Sequence, residues 1–245
     1  MNRGTYVALS GALVRQQLMD TISHNLSNNE TVGFKKGQSV FKTMLERVQT
    51  GEILERVNLA EIEEGFTDFS QGTLSPSGIQ THMAIQGEGF FKVEDEAGNI
   101  YYTRQGNLRL DYEGHLINNQ GMALLGEDRR PITLTSPDFT VDDDGTITLE
   151  DGQKIKIPLY TFDDYSVLTR QGGGQFSVPK GQERDLEILV KDSHIYQGQL
   201  ERSNVNLMQE MSHMVESTRV FEACQKMLKT YHSIAAEANK LGTLG

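Results

Sequence analysis

The residues best suited to chemistry lie in the middle of the chain. Asp142-Asp143-Asp144-Gly145 places carboxylates before a glycine, the composition of a calcium loop. If Gly145 is the loop glycine, Thr140 takes the first ligand position and Asp151 the last, where such a loop uses Asp and Glu. The flanks alternate like strands, so an acidic turn is the reading that fits. Gly87-Glu88-Gly89 opens like a dinucleotide-binding loop, but Lys92 replaces its third glycine and no helical pattern follows. A strand bend is expected there, and Gly172-Gly173-Gly174 reads as a loop tip. His24, His82, His115, His194, His213 and His232 are scattered, with no HExxH and no Cys/His spacing suited to zinc. Cys224 is the one cysteine and falls on a helical stripe, which makes it a packing residue. No catalytic, cofactor-binding or metal-binding residue is therefore expected, and the chain does not read as an enzyme.

Charge narrows the partners. With 34 acidic and 23 basic residues the net charge is −11, which repels phosphate backbones and anionic lipid. The densest basic cluster is only Arg129-Arg130. Neither nucleic-acid binding nor membrane insertion is expected, because no apolar run approaches the ~18 residues of a span. The amphipathic start, interrupted by Arg15, Gln16, Gln17 and Asp20, is unlike a secretory leader, so an uncleaved chain is expected. At 37% apolar residues, 245 residues can form one large domain or two modest ones.

The elements that must position these residues are helical at both ends. From Asn206 to Leu241, Leu207, Met211, Met214, Thr218, Phe221, Cys224, Met227, Tyr231 and Ile234 advance by threes and fours, which predicts one long helix. Asn206 and Gln209 form a candidate capping box and Gly242 a candidate stop. Near the start, Val7, Gly11, Val14, Leu18, Ile22 and Leu26 repeat the spacing. Two such stripes can close as an antiparallel or crossed pair. The Asn- and Ser-rich run after Ile22 ends the first helix, and Phe34 to Val48 has the spacing of a short second one. Leu54 to Phe69 reads as an extended linker, ending in the turn-rich Gln71 to Gly78.

From Met83 to about Tyr196 the period becomes strand-like. Phe91 and Val93 alternate with Lys92, Gly98-Asn99 turns, and Tyr101-Tyr102-Thr103 returns as a hairpin. Further short strands predict a central antiparallel β domain, with Gly87, Gly89 and Gly106 at bends or positive φ. The expected fold class is α+β. Long terminal helices form a helical or coiled-coil domain (1–35 and 200–245), an extended linker covers 36–82, and the β domain covers 83–199.

Three blocks of sequence point further. Asn25-Leu26-Ser27-Asn28, Thr31 and Gly33-Phe34-Lys35 resemble the signature after the first helix of flagellar rod and hook proteins, in which Ala is usual at the position of Ser27. Ala84 to Phe91, Tyr102 to Gly106 and Gly114-His115-Leu116 resemble the central pattern of that family. Gln197 to Asn206, with Arg219, Phe221, Glu222 and Lys226, is similar to its other end. Ser77 to Met83 departs from the family pattern. The resemblance implies a structural subunit of the flagellar basal-body rod without cofactor, in the proximal rod with the distal rod as alternative. It also implies self-association, contact with other rod proteins, export through the flagellar type III apparatus, a periplasmic basal-body location and torque transmission through packed helices. The expected assembly residues are Val14, Leu18, Ile22, Met214, Phe221 and Tyr231 on the stripes. In the signature segments they are Asn25, Asn28, Gly33, Phe34, Ser203, Asn204, Val205 and Arg219. A soluble module holding a ligand in its β domain is the alternative of another class, and a concave apolar pocket there would favour it.

Overall fold

The structure is a computed structural model that describes residues 3–50, 53–136, 138–150 and 152–242. In chain order, α1 (Arg3–Ser27) precedes two long strands, β1 (Gly37–Thr50) and β2 (Ile53–Thr67). Short strands follow: β3 (Leu74–Pro76), β4 (Met83–Gln86), β5 (Phe91–Glu94), β6 (Ile100–Thr103), β7 (Arg109–Leu110), β8 (Leu116–Ile117) and β9 (Ala123–Leu124). Then come β10 (Phe139–Val141), β11 (Thr146–Leu149), β12 (Lys154–Lys156), β13 (Tyr160–Thr161), β14 (Thr169–Gly172) and β15 (Gln175–Ser177). A single turn, α2 (Glu183–Leu186), leads to β16 (Ile188–Leu189), β17 (His194–Gln197), β18 (Gln199–Glu201) and α3 (Leu207–Gly242). Long terminal helices thus enclose a central antiparallel β region in sequence, an α+β chain. Among the described residues, no helix is long and apolar enough to cross a membrane.

The chain divides into two compact units. One comprises Met1–Ser27, Lys36–Asp68 and Asn206–Gly245, and the other Asn28–Lys35 and Phe69–Val205. Two expectations differ from this. The stretch Phe34 to Val48 is not a short helix but lies largely in β1, which pairs antiparallel with β2 from Gly37↔Thr67 to Thr50↔Ile53. Local spacing allowed either form, and the non-local partner strand decides it. Residues 36–82 are accordingly not one extended linker: 37–67 form this hairpin, while Phe69 onward belongs to the β unit.

In the β unit, a seven-stranded antiparallel sheet runs β14-β15-β6-β5-β9-β8-β7, accompanied by β10-β11-β12 and the pairs β13-β16, β17-β4 and β18-β3. Alternation sends neighbouring side chains of β5 to opposite faces. Phe91 and Val93 join Met83, Ile85, Leu116 and Ile195 in one buried cluster. On the other face Tyr102, Tyr160, Phe162 and Phe176 form a second cluster with Phe90, against whose ring Phe69 sits edge-on at 5.5 Å. Because both faces are covered, Lys92 is not on a solvent face as simple alternation implied. It is fully buried, lies 4.9 Å over the Tyr160 ring and pairs with Glu187 at 2.6 Å. Glu187 also accepts from Tyr102 Oη at 2.9 Å and pairs with Arg129, so the buried carboxylate is well satisfied. Burial draws the Lys92 ammonium below its usual range, against the opposing pull of Glu187.

The acidic run is a hairpin turn between β10 and β11. Gly145, at φ 81°, donates its N–H to Asp142 O, and Asp144 accepts from Thr146 and from Lys156 at 2.8 Å. Those bonds hold the Asp144 carboxyl at about 2. Asp151 lies outside the described residues. Gly87 and Gly89 have φ of 101° and 116°. Gly106 is held by crowding instead: a Cβ there would sit 1.5 Å from Met83 O, whose own N–H donates to Gly106 O.

Crowding and backbone freedom can be separated by experiment. In urea unfolding of the full chain followed by tyrosine fluorescence, Gly106→Ala is expected to cost more than about 2 kcal/mol. Gly121→Ala, at φ 85° but with open space around it, is expected to cost about 1 kcal/mol. Equal losses would remove the crowding argument.

Candidate assembly interface

The helices α1 and α3 pack antiparallel within one unit. Gly4 meets Tyr231, Gly11 meets Cys224, Met19 Sδ accepts from Thr218 Oγ1 at 3.6 Å, and Asn25 meets Glu210, so one index falls as the other rises. Nothing in α3 breaks it before its final Gly242, and at 36 residues it extends about 54 Å at ~1.5 Å per residue. Asn206 caps it, its Oδ1 accepting the Gln209 N–H at 3.2 Å. Two glycines cost α1 some intrinsic stability. A Cβ at Gly4 would lie 2.3 Å from the Tyr231 hydroxyl, so a larger residue there would make that side chain shift.

The covered face of α3 is Glu210, Met214, Ser217, Phe221, Cys224, Leu228 and Tyr231, all buried or half-buried and spaced alternately by four and three. On α1 the buried positions are Ala8, Ala12, Val14, Ile22 and Asn25, with Leu18 half-buried. Polar contacts set the register at one end. Asn25, 1% exposed, donates to Gly37 O and accepts from Gly37 N, both at 2.9 Å, and donates to Glu210 Oε2 at 3.3 Å. The other Glu210 oxygen lies 3.5 Å from Lys36 Nζ. A carboxylate in the first turn of α3 also suits the positive end of its dipole.

The expected assembly residues therefore separate into groups. Val14, Ile22, Asn25, Gly33, Phe34 and Val205 are buried within the chain, and Leu18, Asn28, Ser203, Asn204, Met214, Phe221 and Tyr231 are half-buried. Of the whole set only Arg219 is exposed. The broad stripe read from the sequence is not uniformly covered: Met214, Phe221, Cys224 and Tyr231 are half-buried, whereas Leu207, Met211, Thr218, Met227 and Ile234 are exposed. Apolar residues left in solvent include Leu9 and Leu13 on α1, four residues apart on one face with Leu13 at 55%, and Val7 on another side of the helix. On α3 Met208 (73%), Met211 and Val215 are spaced by three and four, with Met227 and Ile234 beyond. Isolated exposed apolar residues are ordinary, but helical rows of them mark a surface that another helix can cover.

A second cluster, in the β unit, escaped sequence reading. Lys35 Nζ donates to Glu201 Oε1 and to Ser70 O, both at 2.7 Å, and Gly72 N donates to the same carboxylate oxygen at 2.8 Å. Arg104 Nη1 lies 3.4 Å from Glu201 Oε2, while its Nη2 donates to Gly87 O at 2.7 Å. All three charged side chains are nearly or fully buried. Burial lowers the Arg104 guanidinium, and Glu201 opposes the shift. The backbone follows: Gly33 N donates to Glu201 O at 2.8 Å, and Gly33 must be glycine because its φ is 65° and a Cβ would sit 2.4 Å from the Arg104 carbonyl carbon. One signal was present, namely a charged residue in each of the three signature blocks, Lys35, Arg104 and Glu201.

Comparison with known proteins uses the same segments. Residues 84–149 match the flagellar hook protein FlgE/F/G D1 domain, and 196–241 match the flagellar basal body rod FlgEFG protein C-terminal region. The basal-body rod protein FlgF of Mesorhizobium japonicum is 30% identical over 247 residues, covering 100% of this chain and 99% of the relative. The chain belongs to the flagellar basal-body rod protein family. The rod protein FlgG of Buchnera aphidicola from Schizaphis graminum is 27% identical over 262 residues, covering 96% and 98%. The hook protein FlgE of Salmonella typhimurium is 36% identical over 130 residues, 53% of this chain and 30% of the relative. In this rod-family chain the three blocks that carried the resemblance supply Lys35, Arg104 and Glu201, one charged group from each. The family is structural, in keeping with a site made of packing surfaces and buried ion pairs.

The helix register makes a direct test available. An ideal Cβ at Gly11 lies 3.5 Å from Cys224 Sγ. The variant Gly11→Cys is expected to form an intramolecular disulfide with Cys224 under mild oxidation, seen as a band of altered mobility on non-reducing gels. Leu13→Cys, on the exposed side of α1, should not. Equal cross-linking by both variants would show that the helices do not pair in this register.

Proposed function

We propose that this chain is a structural subunit of the proximal flagellar rod, exported through the flagellar type III apparatus and assembled in the periplasm with copies of itself and other rod proteins. The observation that carries this reading is the pair of exposed apolar rows left on α1 and α3 after the helices have covered each other. A row of Leu, Met and Val in water gains stability when a neighbouring helix removes it, at about 25 cal/mol per Å2 of apolar surface. The terminal helices then form the packed axial core that transmits torque, in a coiled-coil-like arrangement, and the central β unit is the stable body of the subunit. Part of the assembly contact set is Val7, Leu9, Leu13, Met208, Met211 and Val215, with Arg219 alongside. The inward residues Val14, Ile22, Met214, Phe221 and Tyr231 act by keeping the two helices joined so that those rows are presented.

The proximal position is supported by the FlgF relative, which is 30% identical over 247 residues covering 100% of this chain. The distal rod is the second reading, since the FlgG relative also matches almost end to end.

Charge placed on the rows tests the reading. Leu13→Asp and Met211→Asp are expected to fold with unchanged far-ultraviolet dichroism, because both side chains are already in water. On assembly each would bury an unpaired carboxylate at a cost of roughly 3 to 5 kcal/mol. In a strain lacking the native gene, both should abolish swimming halos in soft agar, while Gln16→Asp on the same helix should complement. Full motility with both charged variants would sink the proposal, and an epitope tag imaged on isolated basal bodies would decide between proximal and distal rod.

A further inference from the structure

The chain leaves α1 into, and enters α3 from, segments that belong to the β unit. Asn28–Lys35 follows α1 directly, and the unit ends at Val205, just before α3. Within that unit the two segments are joined. Gly33 N donates to Glu201 O at 2.8 Å, and Asn204 N donates to Phe34 O at 3.4 Å. Between them lies the buried carboxylate of Glu201, which binds Lys35 Nζ at 2.7 Å, Gly72 N at 2.8 Å and Arg104 Nη1 at 3.4 Å. Behind Glu201, β18 is paired to β3, with Glu201 opposite Leu74, and Arg202 N continues the pairing by donating to Thr73 O. Arg170 in turn donates to Lys35 O. Every group that Glu201 engages thus belongs either to a chain segment adjoining a helix or to the β body that anchors it.

We propose that Glu201 is a positioning residue that holds the roots of α1 and α3 together, so that each helix meets the other at high local concentration. The inference does not rest on the rod reading. Two segments far apart in sequence find each other slowly and at an entropic cost that grows with the loop between them. Anchoring their roots side by side replaces that long loop with a short one, and the effective concentration rises accordingly. A buried pair elsewhere in the same body, such as Lys92 with Glu187, stabilises the fold without touching either root. That contrast separates positioning from general stability.

The experiment uses the full chain carrying Gly11→Cys, with native Cys224 as its partner, and measures the rate of disulfide formation under copper–phenanthroline oxidation. Glu201→Gln keeps the shape and an acceptor oxygen but removes the charge that Lys35 and Arg104 share. It is expected to slow cross-linking about tenfold while the body keeps its near-ultraviolet dichroism. The control Lys92→Met, which breaks the other buried pair, is expected to lower the melting temperature yet leave the rate within about twofold. In urea that unfolds the body, the Glu201 and native rates should converge. Should Glu201→Gln lose the tertiary signal, the charge-free pair Lys35→Met with Glu201→Gln takes its place under the same criteria. A native rate in the Glu201 variant, or equal slowing by Lys92→Met, would overturn the proposal.

Discussion

The helical end of this chain depends on closing a loop of about 180 residues between Ser27 and Leu207. Such a closure costs roughly 4 to 5 kcal/mol in chain entropy before any helix contact forms. The cost is met within the β unit, where the stretch after α1 and the stretch before α3 hydrogen-bond to one another and share the Glu201 carboxylate. With that closure made, Gly4 lies against Tyr231, Gly11 against Cys224 and Asn25 against Glu210.

Both buried ion clusters follow one rule. A carboxylate taken out of water must find several partners, or the fold loses more than the ion pair returns. Glu201 has Lys35, Arg104 and the Gly72 amide; Glu187 has Lys92, Arg129 and the Tyr102 hydroxyl. In each case the carboxylate joins chain segments distant in sequence. Lys92 illustrates the geometry behind this, since β5 is covered on both faces and the side chain between Phe91 and Val93 has no route to water.

The division of each terminal helix into a covered face and an exposed one gives the family assignment a physical form. One face holds α1 and α3 together inside the subunit. The other presents Leu13, Met208, Met211 and their neighbours, a surface whose burial a lone chain does not supply. The motifs that invited chemistry are structural: the Asp142–Gly145 run is a turn whose Asp144 bonds Lys156 and Thr146, and Gly87 and Gly89 take positive φ.

Local pattern by itself determined the two helices, because a period of threes and fours over 36 residues admits little else and Asn206 and Gly242 mark the ends. It also determined the β5–β6 hairpin, where alternation and the Gly98-Asn99 turn agree, and the two later blocks, which fall within the residues that the family models match. Tertiary structure decided what depends on partners far along the chain. Residues 37–67 pair as strands because β1 finds β2, although the spacing of Phe34 to Val48 also suits a helix. Which side of α3 turns inward was not legible, since Met211 and Met214 are equally apolar and only contact with α1 separates them. Lys35, Arg104 and Glu201 lie 166 residues apart from first to last, and each alone reads as a surface charge. Their meaning as one buried cluster exists only after folding, because the pairing that makes burial tolerable is itself a product of the fold.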